Sequence, residues 1–272
     1  MIARIIRQLE RLIGQRVDRV DLEIQRLKHL PRYEEGSTRL LGPALRFVDA
    51  ASFLFLYDEL FRKEIYQFET SNPCPYIIDG GANIGLSVCY FKRCFPEASV
   101  VAFEPDPKVF AVLKDNVEML GLNHVELVQK GLWNEDKTLE FHAEGADGGR
   151  IAVSGDSESL KQIETVRLRS YLDRPVDLLK IDIEGAETEV LEDCADLLQC
   201  VDRIFVEYHS FTHQPQNLHR LLSVLVNAGF RYNIQHIGVI SPHPFVKVQS
   251  YLGMDNQLNI FAVKESPRTP TT

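Results

Sequence analysis

The sequence contains the stretch Tyr76-Ile77-Ile78-Asp79-Gly80-Gly81-Ala82-Asn83-Ile84-Gly85, and a later apolar segment ends in Phe103-Glu104-Pro105. The first apolar run is typical of a buried strand that enters a glycine-rich turn, and helix-compatible residues follow it. Glycines let the backbone approach a ligand closely, and a carboxylate after the second strand can accept hydrogen bonds from both hydroxyls of a ribose. The pattern therefore predicts a βαβ unit that binds a nucleotide-like cofactor.

The acid that precedes the glycines favours one class of cofactor. A pyrophosphate is bound by bare N–H groups at a helix N-terminus, and the carboxylate of Asp79 would repel it. S-adenosylmethionine carries an ammonium and a cationic sulfonium, which a carboxylate or a carbonyl can bind. We therefore expect S-adenosylmethionine rather than a dinucleotide.

Three motifs in this order resemble those of one known family. The segment from Asp79 to Gly85 is similar to the acid-x-Gly-x-Gly-x-Gly motif of class I methyltransferases, with Asn83 at one glycine position. Phe103-Glu104-Pro105 and the segment Asp182-Ile183-Glu184-Gly185-Ala186-Glu187 complete the set. Together they resemble the FkbM family over roughly residues 76–209. The resemblance implies an S-adenosylmethionine-dependent O-methyltransferase that acts on a hydroxyl of a sugar, glycan or natural product.

The bulk composition is that of an ordinary folded protein. Of 272 residues, 44% are hydrophobic and 25% are charged. No apolar run reaches the roughly 18 residues that a membrane span needs, and the N-terminus lacks the apolar core of a signal peptide. The five cysteines show no CxxC spacing. These features predict a cytoplasmic protein without a transmembrane segment.

The charge is distributed unevenly along the chain. The net charge is −9, although residues 1–30 hold seven basic and four acidic residues. The remainder is therefore strongly acidic, which argues against a nucleic-acid partner because phosphates need a basic face. An acidic body suits a neutral or cationic substrate, or it serves solubility alone.

Residues 1–72 are predicted to form an N-terminal helical extension. Apolar residues recur at steps of three or four from Ile2 to Leu27, so we expect one amphipathic helix that stops at Pro31. This helix packs on its own domain, forms a homo-oligomer, or lies on a membrane surface; the sequence leaves these alternatives open. A second helix is expected within residues 47–68, over the cofactor entrance or the sheet edge.

Residues 73–264 are predicted to form the methyltransferase domain, an α/β Rossmann-like fold with a seven-stranded, mostly parallel sheet and a reversed last strand. The expected strands are Tyr76–Asp79, Ser99–Glu104, Val125–Lys130, Asp177–Asp182, Arg203–His209, Arg231–Gly238 and Leu258–Lys264. The expected helices are Gly85–Phe95, Asp106–Leu120, Thr188–Leu198 and Asn217–Ala228. A β-hairpin insertion is expected at about 137–171, with short strands Thr138–Ala143, Arg150–Val153 and Thr165–Leu172. Residues 265–272 form a polar tail that we expect to be disordered.

The first loop and the end of the second strand supply most of the predicted cofactor contacts. The resemblance implies that the loop holds the methionine portion and that Glu104 holds the ribose. The predicted cofactor-binding residues are Asp79, Gly80, Gly81, Ala82, Asn83, Gly85, Ser87, Glu104, Pro105, Leu132 and Asp182.

The predicted catalytic residues are Asp182, Glu207 and His209, which end two strands of the sheet. Side chains two apart on a strand face the same way, so Asp182 emerges at the edge where open α/β sheets bind ligands. A neutral histidine is a ready general base, and we expect His209 to take the proton of the acceptor hydroxyl. The alternative is a divalent metal held by the same three residues, and we expect no metal.

Residues next to these strand ends are predicted to contact the acceptor, which is a small molecule or a glycan: Glu184, Glu187 and His213. Two further alternatives remain open from the sequence. The glycine spacing also fits an NAD-dependent oxidoreductase, although Asp79 and the lack of a Tyr-x-x-x-Lys pair weaken that interpretation. The other alternative is a non-catalytic scaffold that binds a partner through the N-terminal helix.

Overall fold

The computed structural model describes residues 19–142, 150–151 and 160–264. Residues 19–28 form helix α1, which ends before Pro31 as predicted; the predicted start of this helix at residues 1–18 lies outside the described residues. Strands β1 (Gly36–Thr38) and β2 (Leu45–Phe47) pair antiparallel. The segment predicted as a helical extension thus also contains a short β-hairpin, which lies between its two helices.

The helix expected within residues 47–68 is shorter than predicted. Helix α2 covers Ala50–Tyr57 and continues as a π-helical turn, Asp58–Arg62. Asp49 sets its start, because the extended backbone of Asp49 lets its carboxylate accept a hydrogen bond from Ser52 N at 2.9 Å. As predicted, the helix lies over the cavity described below.

From residue 76 the chain alternates strands and helices, with one interruption. The elements are β3 (Tyr76–Gly80), α3 (Leu86–Cys94), β4 (Ser99–Phe103), α4 (Pro107–Met119), β5 (Val125–Val128), β6 (Gly131–Trp133), β7 (Thr138–His142), β8 (Arg150–Ile151), β9 (Leu160–Arg167), β10 (Leu178–Ile181), α5 (Glu187–Asp193), β11 (Arg203–Phe211), α6 (Leu218–Asn227), β12 (Phe230–His236) and β13 (Met254–Lys264).

The central sheet has seven strands in the order β12-β13-β11-β10-β3-β4-β5. Strands β5, β4, β3, β10 and β11 are parallel to their neighbours within this group, whereas β13 runs antiparallel to both β11 and β12. The prediction of a Rossmann-like sheet with a reversed last strand is confirmed. The carboxyl ends of β3, β4, β10 and β11 therefore meet at one edge, where ligands bind in this class of fold.

The insertion before β10 is a four-stranded sheet in the order β6-β9-β7-β8. The antiparallel pairing of β7 with β8 and β9 agrees with the expected hairpin. The strand expected at Thr165–Leu172 corresponds to β9, but its bounds are wrong, because β9 begins at Leu160 and ends at Arg167, and residues Leu168–Tyr171 form a 3-10 turn. Pairing of β6 parallel to β9 was not predicted. The predicted turn from Gly145 to Gly149 and the polar tail at residues 265–272 lie outside the described residues.

The N-terminal elements share a hydrophobic core with the sheet. Leu27, Phe47 and Phe53 are buried in one cluster with Ile77 and Phe91. The predicted division of the chain at about residue 72 stays a prediction. Among the described residues, no helix has both the length and the apolar character that a membrane crossing requires.

Candidate active site

The glycine-rich loop follows β3 and is anchored to β4. Gly81 N and Ala82 N both donate to the carbonyl of Phe103, at 3.1 and 2.8 Å. Asn83 has a φ of 49°, a left-handed conformation that asparagine adopts more readily than most residues. This explains why asparagine can stand where the family motif has glycine.

Glu104 closes the loop from the next strand. Its carboxylate accepts one hydrogen bond per oxygen, from Asn83 N at 3.1 Å and from Asp106 N at 2.8 Å. Each oxygen keeps a second acceptor position, as two ribose hydroxyls require. Burial raises the pKa of Glu104 to about 7, against the opposing effect of the two amide donors.

A cavity of about 570 Å³ opens at the carboxyl edge of the sheet. One end is lined by residues that follow β4 and β5: Glu104, Pro105, Asp106 and Leu132. The other end is lined by residues of β11, β13 and the loop before β13: Glu207, Gln257, Val239, Tyr251 and Leu252. Gly81, Ala82, Asn83, Ser87 and Asp182 line it as well. The structure thus brings most of the predicted cofactor and catalytic residues to one cavity.

Asp79 and Lys180 form a buried ion pair beneath the loop. Lys180 Nζ lies 3.2 Å from Asp79 Oδ1 and 3.4 Å from Asp182 Oδ2. Its ammonium also donates to the carbonyls of Gly80 and Gly81, at 3.2 and 2.5 Å. The direction of these donors leaves Asp79 Oδ1 without a hydrogen bond of good geometry, so the contact with Lys180 is chiefly electrostatic. Burial opposes the charge, but Asp79 and Asp182 raise the pKa of Lys180.

The ion pair of Asp79 with Lys180 gives Asp79 a different role from the one predicted. Asp79 is fully buried, and its Oδ2 accepts a hydrogen bond from the hydroxyl of Ser87. Direct contact of the Asp79 carboxylate with a cofactor ammonium, as expected from the sequence, does not fit this position. Asp79 instead orients Ser87 and Lys180, which line the cavity.

Three carboxylates surround the imidazole of His209. Nδ1 lies 3.0 Å from Glu187 Oε1, while Nε2 lies 3.3 Å from Glu207 Oε1 and 3.6 Å from Glu184 Oε2. The His209 side chain is only 1% exposed. Burial opposes protonation, yet Glu184, Glu187 and Glu207 together raise the pKa of His209 well above its usual value. The raised pKa favours the protonated ring over the neutral ring that was expected, and the role of His209 as base stays a prediction.

The carboxylates that face the cavity differ in their proton affinity. Burial, followed by the charge of Glu207, raises the pKa of Asp182 to about 7, although Lys180 and His209 oppose that rise. Burial likewise raises the pKa of Glu184 well above its usual value. The pKa of Glu207 is lowered despite its burial, because His209 and Gln257 donate hydrogen bonds to it. Near pH 7, Glu207 is ionised and Asp182 is poised to gain or lose a proton.

Two predicted acceptor contacts lie elsewhere. The carboxylate of Glu187 is 1% exposed and accepts from His209 Nδ1 and from Gly185 N at 2.9 Å, so it holds the imidazolium and the turn after β10. His213 lies in an exposed turn after β11, where its ring packs against Phe211. The geometry favours only Glu184 of the three predicted acceptor residues as a cavity residue.

The donor set for a metal is present, and its side chains contact each other and Lys180. Within the described part of the chain, Asp182, Glu207 and His209 offer ligand atoms that lie within 4.8 Å of one another. A metal would require His209 Nε2 to lose its proton and Asp182 to accept a cation beside Lys180. The arrangement fits a protonated imidazole better, and the expectation of no metal stays a prediction.

Sequence reasoning missed two functional side chains. Lys180 alternates with Asp182 along β10, and a lysine at a buried strand end beside acids was a usable signal. Gln257 Nε2 donates to Glu207 Oε1 at 2.6 Å from β13. The contact of Gln257 with Glu207 depends on the pairing of β11 with β13, and no local sequence motif predicts that pairing.

The sheet, the glycine loop and a carboxylate placed for a ribose define a class I methyltransferase. Residues 79–232 match the family model described as Methyltransferase FkbM domain, which is more than half of the chain. The chain therefore belongs to the FkbM methyltransferase family. The predicted enzyme class, a methyltransferase, is confirmed, and the oxidoreductase and scaffold alternatives are set aside.

Curated methyltransferases match this chain over about half of its length. Methyltransferase sdnD of Sordaria araneosa is 32% identical over 179 residues, which are 51% of this chain and 67% of sdnD. The 31-O-demethyl-FK506 methyltransferase FkbM of Streptomyces tacrolimicus is 29% identical over 191 residues, which are 57% of this chain and 74% of that protein. The crystal structure of Methyltransferase FkbM from Methylobacillus flagellatus KT is similar with a TM-score of 0.48 at 16% identity, over 75% of this chain. That match covers 47% of the solved chain, so this chain spans about half its length.

Proposed function

We propose that this protein transfers the methyl group of S-adenosylmethionine to a hydroxyl of a sugar, glycan or natural product. The observation that carries the proposal is the single cavity that joins Glu104 and the glycine loop to Asp182 and Glu207. One end offers acceptors for a ribose, and the other offers carboxylates for an alcohol. The relative that acts on 31-O-demethyl-FK506 is named as an enzyme of this kind of reaction.

The residues at the first end fit the cofactor. Glu104 has acceptor capacity for two hydroxyls, and Leu132 and Pro105 provide an apolar wall next to it, suited to a flat base. The loop residues Gly81, Ala82 and Asn83 line the cavity beside Glu104, and we assign this surface to the amino acid portion. The bound cofactor supplies an electrophilic methyl group on a cationic sulfur.

The residues at the second end prepare the acceptor. An alcohol is a weak nucleophile until its proton begins to leave, and a carboxylate whose pKa is near the working pH is a suitable base. Asp182 meets that condition and faces the cavity. Glu207 stays ionised and can accept a hydrogen bond that orients the hydroxyl. His209 acts through these carboxylates, because its ring contacts Glu184, Glu187 and Glu207 and positions them.

Calorimetry and a transfer assay test the proposal. We expect S-adenosylhomocysteine to bind in the micromolar range and NAD not to bind. Methyl transfer from labelled S-adenosylmethionine to a panel of hydroxylated sugars and macrocycles should survive a chelator. Binding of NAD without S-adenosylhomocysteine would overturn the cofactor assignment. Loss of transfer with chelator, restored by a divalent ion, would reassign Asp182, Glu207 and His209 as metal ligands.

A further inference from the structure

The cavity has an apolar margin that the proposed chemistry does not use. Val239, Tyr251 and Leu252 line the cavity, and they are 36%, 57% and 57% exposed. They belong to the loop 237–253, which connects β12 to β13. Phe55 of α2 and Tyr33 line the same cavity and are about half exposed. These five side chains, the apolar rim, therefore lie where the cavity meets solvent.

The loop 237–253 carries further exposed apolar side chains. Ile240, Phe245 and Val246 are all largely exposed, and Phe245 is fully so. Contiguous exposed apolar surface on a folded protein commonly marks a binding site. These residues belong to the loop 237–253, which also supplies Val239, Tyr251 and Leu252 to the cavity wall.

The loop part of the rim, Val239, Tyr251 and Leu252, lies at the end of the cavity that we assign to the acceptor. In the sheet, β11 and β13 lie on one side of β10 and β3, whereas β4 with Glu104 lies on the other. Glu207 and Gln257 line the cavity from β11 and β13, next to the loop 237–253. An acceptor whose hydroxyl reaches Asp182 and Glu207 thus places its remaining atoms against the rim.

The charges at that end restrict the group that carries the hydroxyl. Within the described part of the chain, the basic side chains of the cavity wall are Arg32 and Lys180, and both are paired with carboxylates. Asp182, Glu184 and Glu207 face the cavity beside them. An anionic head group would have to approach these acids without a free cation, so an uncharged head group fits better.

We propose that the apolar rim is a subsite for a hydrophobic body, and that the acceptor is an uncharged amphiphile in which a hydrocarbon portion is joined to the methylated hydroxyl group. This inference rests on the proposed function and narrows its substrate class. A free polar sugar would use only the inner end of the cavity. An alkylated or arylated sugar, or a hydroxylated macrocycle, would use the inner end of the cavity and the apolar rim.

Alkyl glucosides of increasing chain length test the subsite directly. We would titrate methyl to octyl β-D-glucosides, below their micelle concentrations, into protein saturated with S-adenosylhomocysteine. Affinity should rise roughly two- to fourfold for each added methylene, up to the value for full burial. Leu252→Asn and Phe55→Gln should flatten that rise. Asparagine suits position 252 because its φ is 51°.

A matched control distinguishes binding at the apolar rim from non-specific hydrophobic binding elsewhere on the surface. Val226 on α6 is 55% exposed, a fraction similar to the 57% of Leu252. Val226→Asn should therefore keep the wild-type dependence of affinity on chain length. Equal affinity for all the glucosides, or an unchanged rise in both rim variants, would overturn the subsite. Binding of S-adenosylhomocysteine is measured first in every variant, since its absence in the wild type would overturn the proposed function instead.

Discussion

At the scale of single residues, Glu104 determines how the cofactor end of the cavity responds to pH. Its pKa is raised to about 7 by burial, and only the carboxylate form offers acceptors to both ribose hydroxyls. Affinity for S-adenosylhomocysteine should therefore be full above pH 7 and fall as the pH drops through that value. Glu104→Gln should weaken binding by about 1.5–3 kcal/mol at pH 8 and remove this part of the pH dependence.

The control for this variant is Glu126→Gln, because Glu126 is an exposed carboxylate on the adjacent strand β5. Titration calorimetry at pH 6, 7 and 8 compares the two variants with the wild type. An affinity that is the same in Glu104→Gln and the wild type at pH 8 would mean that the ribose is held elsewhere.

Asp182 and His209 can be distinguished by the pH dependence of turnover. If Asp182 is the base, turnover falls as the pH drops through about 7, and Asp182→Asn should lower it by roughly 10²–10⁴. The charge of His209 lowers the pKa of Asp182. His209→Gln should therefore keep the acid limb of the profile and move it to higher pH.

Pre-steady-state turnover between pH 6 and 9 measures these profiles with the best acceptor found. Asp173→Asn serves as the control, since its side chain is 77% exposed. An acid limb that disappears in His209→Gln but persists in Asp182→Asn would return the role of base to His209.

At the scale of elements, the turn after β3 depends on one close contact. Gly81 has a φ of +79°, and an added Cβ would lie 1.8 Å from the carbonyl oxygen of Asp182. Gly121 also has a positive φ, +61°, but a Cβ there would meet no atom within 4 Å. Gly121→Ala should cost only the backbone strain, about 1–2 kcal/mol. Gly81→Ala should cost more and should also abolish binding of S-adenosylhomocysteine, because the loop and β10 must separate.

Urea unfolding and calorimetry on both variants give the comparison. The explanation fails if Gly81→Ala loses no more stability than Gly121→Ala and binds the ligand as the wild type does.

Helix α1 offers a second comparison within one element. Leu27 is 1% exposed in the core that includes Phe47 and Phe53, whereas Leu22 on the same helix is 69% exposed. Leu27→Ala should lower the free energy of unfolding by about 2–5 kcal/mol, and Leu22→Ala by no more than about 0.5 kcal/mol. Urea unfolding of the two variants decides whether α1 is part of the fold. Equal effects would mean that α1 is a detachable extension.

The elements that the sequence predicted well are those with strong local signals. Hydrophobic runs and glycine turns located the strands of the central sheet, because buried parallel strands are continuous apolar segments. The hairpin β1–β2 and the parallel pairing of β6 with β9 were not predicted, since short strands carry little periodicity. Their positions depend on packing, such as the hydrogen bond from Arg46 N to Asn116 Oδ1 at 2.8 Å.

The candidate site also has a part that the sequence predicted and a part that it did not. The residues at strand ends, including Glu104, Asp182 and Glu207, could be placed at one edge because parallel strands share their carboxyl ends. The raised pKa of His209 could not be predicted from the sequence, because it depends on Glu184 and Glu187, which follow a different strand. A histidine near one acid looks like a base in sequence, whereas three carboxylates around the ring raise the pKa of His209 well above its usual value.

At the scale of the whole molecule, the buried charges of the site predict how stability depends on pH. Folding raises the pKa of Glu104 and of Asp182 to about 7, and it raises the pKa of Glu184 and His209 well above their usual values. The folded state thus binds more protons than the unfolded state. The stability of such groups is fully present below their unfolded pKa and is lost as the pH rises through the folded pKa.

We therefore expect the ligand-free protein to lose stability between pH 6 and pH 8.5, by up to about 1.4 kcal/mol per pH unit for each extra proton bound. The lowered pKa of Glu207 acts in the opposite direction only at acid pH, below its unfolded value. Urea unfolding across this range measures the slope. Asp182→Asn should reduce the slope because it removes one of the protons, and Asp173→Asn should not. Stability that is constant or rises over this window would show that the carboxylates are already ionised in the folded state, and the assignment of Asp182 as a base with a pKa of about 7 would fall with it.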